Sequence, residues 1–526
     1  MLDLLIANGM IVDGTGNPGF YGAVAVEGET IRILRGDVSH VQAARTIDAT
    51  GHVVSPGFID MHAHTGLVIL AEPHHEPKIR QGITTELVGI DGNSYAPFHS
   101  QDDFDKFYQL NSGLDGAPKL PGRWSTVAEY LAMFDNKVAV NICYIVGNSP
   151  LRINTIGWQN QPATDRDLAN MKALLREAME EGAYGMSTGL DYPPGSYAST
   201  EELIELSREA AKLGGIYHTH CRHRLGDASL DPFKEAIEIG RKSGIASHIT
   251  HFYQRVGSKH GASELLSLVE HARDKEDLDV TFDSYPYVFS GTRLLILFPE
   301  WVQEGGPEKI IAGFQDPDVR ARLREEVRPR AGSWQDMWIT YFKKPHNHIY
   351  EGKSLAELSI MTGKHVVDAM MDLLLDEDLQ TSYISLGGSV NTLPKFVSHP
   401  YSMVGSDAVL LGDYPSPRTY GCFPVILGHY VREENYLSLP NAIRKMTSFP
   451  AQRLGLPDRG LLRDGFKADI VVFNPKTVKA MSTRAEPKQF PIGIEYVIVN
   501  GKVVVDQNVQ NKTLAGRALR RGRPTT

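Results

Sequence analysis

The middle of the chain alternates between two periodicities. Over residues 164–181 apolar side chains recur every three or four positions (Leu168, Met171, Leu174, Leu175, Ala178), the spacing of one face of an amphipathic helix. Thr164 and Asp167 stand where a helix start signal belongs. Gly182 ends the run, and Ala183-Tyr184-Gly185-Met186-Ser187 follows as a short strand. The unit then repeats. A helix over 200–213 leads to a strand over 216–220. A helix over about 232–242 leads to a strand over 245–251, and one starting near Ser263 leads to Val280-Thr281-Phe282-Asp283. The strand ends Ser187, His220, His251 and Asp283 lie roughly 32 residues apart, the period of βα units around a parallel sheet. Strands at 58–64, 85–90 and 138–146, with one ending near Asp407, bring the number to eight. The pattern predicts an α/β fold built on a (β/α)8 TIM-like barrel, with its chemistry at the C-terminal strand ends. A doubly wound open sheet is the competitor, and it offers no reason for polar groups at so many strand ends.

The two ends of the chain read differently. Leu4-Leu5-Ile6-Ala7 and Met10-Ile11-Val12 flank Asn8-Gly9, a dipeptide favoured in tight hairpins. Ala23-Val24-Ala25-Val26 and Ile31-Arg32-Ile33-Leu34 flank a second turn. Near the other terminus, 469–473 reads as a strand, and 496–499 and 502–505 flank Asn500-Gly501. Neither end can build a β-domain alone. Together they predict a small β-sandwich made of residues 1–55 and 461–526, set against a barrel over 56–420 and a helical return over 421–460. Residues 288–350 break the barrel rhythm with Trp301, Trp334, Trp338, Gly305-Gly306 and several prolines. They read as an insertion between the last two barrel strands, placed to act as a lid.

Composition narrows the function classes. The 526 residues carry a formal net charge of -9, and the one basic block, Arg517, Arg520, Arg521 and Arg523, lies at the end of the chain. This argues against a nucleic-acid partner, and the block reads as a solvated terminus. Cys143, Cys221 and Cys422 are far apart, which suggests a reducing compartment without a disulfide framework. The N-terminus lacks a basic segment before its apolar residues, and no apolar run approaches a membrane span. The expectation is a cytoplasmic protein with a small-molecule substrate and no membrane or nucleic-acid partner. No heptad or interface patch gives an oligomeric state.

The candidate chemistry begins at Pro56-Gly57-Phe58-Ile59-Asp60-Met61-His62-Ala63-His64. Side chains alternate faces along a strand, so His62 and His64 share one face. His220, His251 and Asp407 close later predicted strands. Four histidines and an aspartate gathered at one barrel rim match a mononuclear or dinuclear metal centre, since neutral imidazole suits zinc and catalytic zinc takes about three protein ligands. Asp407 is then the candidate general acid and base, with an ordinary helix cap as its alternative. His218 and His248 precede the better candidates by two or three residues and are assigned behind them or to the core. His74, His75 and His99 fall in predicted loops and are assigned to solvent.

At this point the chain resembles a known family, the N-acyl-D-amino-acid deacylases (D-aminoacylases) of the amidohydrolase superfamily. The resemblance runs over nearly the whole chain. It rests on the His62-Ala63-His64 stretch, on Gly82-Ile83-Thr84-Thr85-Glu86-Leu87-Val88-Gly89, and on Ser187-Thr188-Gly189-Leu190-Asp191-Tyr192-Pro193-Pro194-Gly195-Ser196-Tyr197. Tyr217-His218-Thr219-His220-Cys221-Arg222, Tyr285-Pro286-Tyr287, Gly405-Ser406-Asp407 and Pro417-Arg418-Thr419-Tyr420-Gly421-Cys422-Phe423-Pro424 extend it, as do Lys445-Met446-Thr447-Ser448-Phe449-Pro450-Ala451 and Gly465-Phe466-Lys467-Ala468-Asp469. The resemblance implies a zinc-dependent barrel that hydrolyses an N-acyl-D-amino acid. It implies that His220 and His251 hold a tight zinc, and that His62, His64 and Asp407 lie at a second, weaker metal position with Asp407 as general acid and base. Tyr192, Arg222, Tyr253, Tyr285 and Arg418, within or beside these motifs, are the candidate substrate-binding residues.

The departures from the family pattern cluster on the substrate side. Val88-Gly89-Ile90-Asp91-Gly92 stands where the family has Val-Gly-Asn-Cys-Gly with a ligating cysteine, so Asp91 is the candidate ligand in its place, against a turn cap. Phe252-Tyr253 follows His251 where the family has His-Lys. Asn148 replaces a histidine, and Arg224 an acidic residue. The rival functions are hydrolysis of another amide, cyclic amide, carbamate or ester, and a metal-binding protein without turnover.

Overall fold

The computed structural model describes residues 2–330 and 332–522. Arg523 of the terminal basic block lies outside the described residues.

Eight strands form the barrel. They are β1 (Phe58–Asp60), β2 (Ile83–Val88), β3 (Asn141–Tyr144, resuming as Val146–Gly147), β4 (Gly185–Gly189), β5 (Ile216–His220), β6 (Ala246–Ile249), β7 (Val280–Ser284) and β8 (Ser402–Val404). Consecutive strands pair in parallel from β1 through β8. The ring closes where the backbone N–H of Met61 donates to Val404 O (3.4 Å), that of Asp407 donates to His62 O (2.9 Å), and Ala63 bridges to Ala408. Helices Asp165–Glu180, Thr200–Lys212, Asp231–Ser243 and Ala262–Asp274 separate β3 through β7, as the periodicity predicts. The first starts in a reciprocal cap between Thr164 and Asp167 and buries Met171, Leu175, Ala178 and Met179, one stripe of its surface.

A nine-stranded sheet joins the two ends of the chain. Its link is the antiparallel pairing of Val53–Pro56 with Ile470–Phe473. Leu4, Ile6, Val24 and Val26 from one end pack in a single cluster with Ile470, Val472 and Ile498 from the other, so the sheet folds over its own core. The two Asn-Gly dipeptides behave differently. Asn500-Gly501 makes the expected two-residue turn between Ile494–Val499 and Lys502–Asp506, with both residues at positive φ. Asn8-Gly9 makes no hairpin. It lies inside one strand, Leu2–Ile11, where the pairing register shifts between Ile6 and Gly9. Met10 and Ile11 pair with Val53 and Val54 instead of folding back on residues 4–7. A Cβ on Gly9 would come within 2.5 Å of Val54.

The segment between β7 and β8 is larger than the interruption at 288–350. It spans residues 289–386 and contains its own three-stranded sheet, Phe289–Arg293, Ser382–Leu386 and Met337–Tyr341, over a separate apolar core, while the helix Leu393–Val397 that follows packs in the main core. The helix Val366–Asp376 followed by Ser382–Leu386 carries the same local signal as a barrel unit, so periodicity alone does not separate them. The basic tail is held against the protein: Arg517 pairs with Glu29, Arg520 with Asp135 (2.7 Å), and Arg521 donates to Leu213 O and Gly214 O (2.5 Å each). Cys143, Cys221 and Cys422 are buried free thiols. No helix among the described residues is long and apolar enough to cross a membrane.

Candidate metal centre

Each metal-binding candidate stands at the C-terminal rim of the barrel. His62 and His64 follow β1, Asp91 follows β2, His220 ends β5, His251 lies two residues past β6, and Asp407 three past β8. Asp91 (φ 55°), His251 (φ 35°) and Asp407 (φ 47°) adopt left-handed backbone, which is costly for residues with a Cβ and tends to persist at functional sites. The turn carrying Asp91 is possible because position 89 is glycine: a Cβ there would lie 2.1 Å from Ile145 O.

These side chains converge on Asp91. Its Oδ2 lies 3.5 Å from His62 Nε2, 3.7 Å from His64 Nε2, 3.5 Å from His220 Nδ1 and 3.9 Å from His251 Nε2. Asp407 Oδ1 lies 3.5 Å from His62 Nε2 and 3.4 Å from His64 Nε2. Such separations lie at or beyond the long end of hydrogen-bond lengths. They match ligand atoms about 3.3 Å apart around one tetrahedral ion with bonds near 2 Å. His62 is fully buried, yet among the described residues neither ring nitrogen has a hydrogen-bond partner, and Asp91 Oδ1 and His251 Nδ1 also lack one. Buried polar atoms without partners are uncommon and call for an explanation. Ligand-sized groups form from Asp91, His220 and His251, from His62, His64 and Asp91, and from His62, His251 and Asp407. The donor set therefore fits one or two divalent ions, with Asp91 shared between two of the groups.

Carboxylates orient the imidazoles from behind. Asp115 Oδ1 takes His64 Nδ1 at 2.9 Å while its Oδ2 accepts from Tyr95 Oη at 2.7 Å. Asp191 Oδ2 meets His220 Nε2 at 3.4 Å. Asp283 accepts the His251 backbone N–H at 2.8 Å and faces His248 Nε2 at 3.1 Å and His62 Nδ1 at 3.5 Å. His218 stacks on His248 with ring centres 5.0 Å apart and turns its Nε2 to Met61 O, so both lie behind the cluster. Asp283 is visible in the sequence as a strand end. Asp115 ends an outer helix, and no local signal marks it.

The electrostatics follow from burial and charge. Burial favours neutral His62, but Asp91, Asp407 and Asp283 together raise its pKa well above the usual imidazole range. Burial and the neighbouring His220 push His251 down to about 3. Burial alone would raise Asp407, yet the Arg418 guanidinium at 2.9 Å and His62 hold its carboxyl well below the usual carboxylate range.

Tyr192, Tyr253 and Tyr285 line a cleft of about 80 Å³ above the cluster, with Thr292, Tyr383, Arg255 and Arg330. Arg222 does not reach it, because Glu235 (3.2 Å), Ser196 O (2.6 Å) and Ala198 O (2.8 Å) hold its guanidinium. Arg418 reaches the site through Asp407 and stacks over Tyr285. Arg224 donates to Ile296 O and Phe298 O. Arg255, without a sequence signal of its own, donates to His223 Nε2 at 2.7 Å. His75 lies in a loop as expected but corrects its assignment to solvent: it is buried and bonded to Glu86 at 3.0 Å, while His74 and His99 are exposed.

Comparison with known proteins follows this geometry. The amidohydrolase family model matches residues 45–290 and 340–505. The N-acyl-D-aspartate deacylase of Alcaligenes xylosoxydans xylosoxydans is 33% identical across 99% of this chain and 95% of its own length. A solved D-aminoacylase structure, concerned with a binuclear metal centre, one-metal activation and second-metal attenuation, superposes with a TM-score of 0.82 at 32% identity, covering 99% of this chain and 100% of that one. The N-acyl-D-glutamate deacylase of Bordetella bronchiseptica, solved with zinc and a phosphonate mimic of the tetrahedral intermediate, also gives 0.82, at 30% identity and 99% coverage of each chain. This chain belongs to the amidohydrolase family, within its group of N-acyl-D-amino-acid deacylases.

Proposed function

We propose that the protein is a metal-dependent hydrolase of linear amides whose substrates are N-acyl-D-amino acids. The observation that carries this reading is Asp91 Oδ2 lying within 3.9 Å of four buried imidazoles, beside a His62 ring with no hydrogen-bond partner. His220 and His251 with Asp91 are the ligands for a tight zinc, and His62, His64 and Asp407 offer a second position. An ion bound there polarises a carbonyl oxygen and acidifies a water.

The side chains account for the remaining chemistry. Asp407 stays ionised because Arg418 holds its Oδ2, so it is ready to accept a proton from the attacking water. As the water oxygen bonds to the acyl carbon and the C–N bond breaks, the electron pair leaves with nitrogen. Asp407 returns the proton to that nitrogen, releasing a carboxylic acid and an amine. Tyr192, Tyr285 and Tyr383 close the cleft around a small acyl group.

Arg255 is the cation left for the substrate carboxylate. Arg222 is engaged by Glu235, Arg418 by Asp407 and Arg330 by Asp191, whereas the side-chain acceptor of Arg255 among the described residues is the neutral His223, and it borders the cleft beside Tyr253. A guanidinium grips a carboxylate through two parallel hydrogen bonds. The test is a panel of N-acetyl-D- and L-amino acids with their methyl esters. The expected result is turnover of free D-acids, apolar side chains ahead of acidic ones, and a rise in KM for these acids in Arg255→Met. Faster turnover of the esters, unaffected by Arg255→Met, would favour a neutral amide or ester substrate.

A further inference from the structure

Asp191 is fully buried, yet it lies outside the group of candidate ligands. It follows β4, and its Oδ2 meets the outer nitrogen of His220, Nε2, at 3.4 Å. The inner nitrogen, Nδ1, faces His251 Nε2 at 3.0 Å and Asp91 Oδ2 at 3.5 Å. A neutral imidazole carries one N–H and one lone pair, so a carboxylate behind Nε2 puts the proton there and leaves the lone pair on Nδ1, aimed at Asp91 and His251. The other side of Asp191 is met by Arg330 of the inserted segment, whose guanidinium nitrogen lies 3.5 Å from the same Oδ2. Asp191 Oδ1 has no hydrogen-bond partner among the described residues, and His220 and Arg330 meet its Oδ2. A buried carboxylate needs such compensation, and here part of it arrives from outside the barrel.

We propose that Asp191 is a positioning residue that fixes the tautomer and orientation of His220, and that Arg330 holds Asp191 in place, so that the inserted segment tunes the metal affinity of the barrel rim. The inference rests on reading the cluster as a metal centre. Groups that hydrogen-bond the far nitrogen of a ligating histidine typically change metal affinity by about 10–100-fold. Asp191 touches neither the cleft nor the reacting atoms, so its effect travels through His220. Arg330 borders the cleft itself and also the adjoining cavity of about 440 Å³, where Arg224 and Arg255 lie beside it. A substrate entering by that route meets the residue that supports the centre.

The experiment measures zinc binding to the full-length apoprotein by competition with a chromophoric chelator, with no substrate present. Asp191→Asn should weaken zinc binding by about 10–100-fold, with the thermal midpoint of the apoprotein unchanged, and Asp191→Glu should recover part of the loss. Arg330→Met should move affinity in the same direction by less, and Arg330→Lys should restore it. Wild-type zinc affinity in both Asp191→Asn and Arg330→Met overturns the inference. Should Asp191→Asn fail to fold, the Arg330 pair decides alone. A wild-type protein that binds no zinc overturns the metal reading itself and this inference with it, a result distinct from a binding wild type with indifferent variants.

Discussion

Two buried polar clusters share the first two strands of the barrel, and they differ in how their charges are met. In one, Lys78 lies 2.5 Å from Asp60 and 3.1 Å from Glu86, and Glu86 accepts from Thr65 at 2.6 Å and faces His75 at 3.0 Å. Ser406 ties Asp60 to the last strand at 2.5 Å. Charge meets opposite charge at 2.5–3.1 Å, although Glu86 Oε1 itself makes no hydrogen bond among the described residues. In the other, a few residues further along the same strands, the inward imidazole nitrogens stand 3.4–3.9 Å from Asp91 and Asp407, and His62 has no hydrogen-bond partner at either nitrogen among the described residues. Both clusters are buried and rich in the same residue types. The spacing separates a network that supports the barrel from one built to be completed by an ion.

Metal removal probes the difference most severely. Exhaustive chelation should abolish amide hydrolysis while circular dichroism shows an intact fold, and zinc should restore activity. Asp91→Ala should lose zinc on dialysis and Asp91→Cys should retain it, as measured by elemental analysis. Full zinc occupancy in the alanine variant would reduce Asp91 to a turn residue.

The completed cluster should fail in the opposite way. Lys78→Met leaves two buried carboxylates without their cation and should cost about 3–5 kcal/mol in urea-unfolding stability. A pH dependence goes with it. Burial works to raise the Glu86 pKa, but Lys78 and His75 bring it far below the usual value. A carboxyl depressed in the folded state contributes stability above its unfolded pKa of about 4.3, and that contribution fades as pH falls. Without Lys78 the depression shrinks, so the variant should lose less stability than the wild type as pH falls below about 4.3, and the gap between the two should narrow. Equal urea midpoints for Lys78→Met and the wild type at pH 7 would show that the pair is not stabilising.

Asp407 gives the smallest of the three effects. Asp407→Asn should lower kcat by about 10²-fold, the scale of general acid–base catalysis and about 2.7 kcal/mol in barrier. The tight zinc on Asp91, His220 and His251 should remain. Near-normal turnover would remove Asp407 from the proton path.

The sequence alone determined the barrel, because helix and strand periodicities are local and repeat along the chain. It also marked His62, His64, His220, His251 and Asp407 as candidates, since strand ends of a parallel barrel converge on one rim wherever they lie in the chain, while Asp91 was marked by the family resemblance, at the place of a ligating cysteine. Other features needed the tertiary structure, each for a physical reason. Asn8-Gly9 and Asn500-Gly501 are the same dipeptide, yet one is a bulge and the other a turn, because Val53 and Val54 claim the strand beside the first. The inserted segment repeats the local signal of a barrel unit, and only its pairing as a separate antiparallel sheet sets it apart. Arg222 and Arg418 looked equally free to hold a carboxylate; Glu235 and Asp407 occupy them, while Arg255 stays open to the cleft. Asp115, on an outer helix, reaches His64 across 51 positions of sequence. A charge's role depends on which opposite charge lies within about 4 Å of it, and that distance exists only in the folded chain.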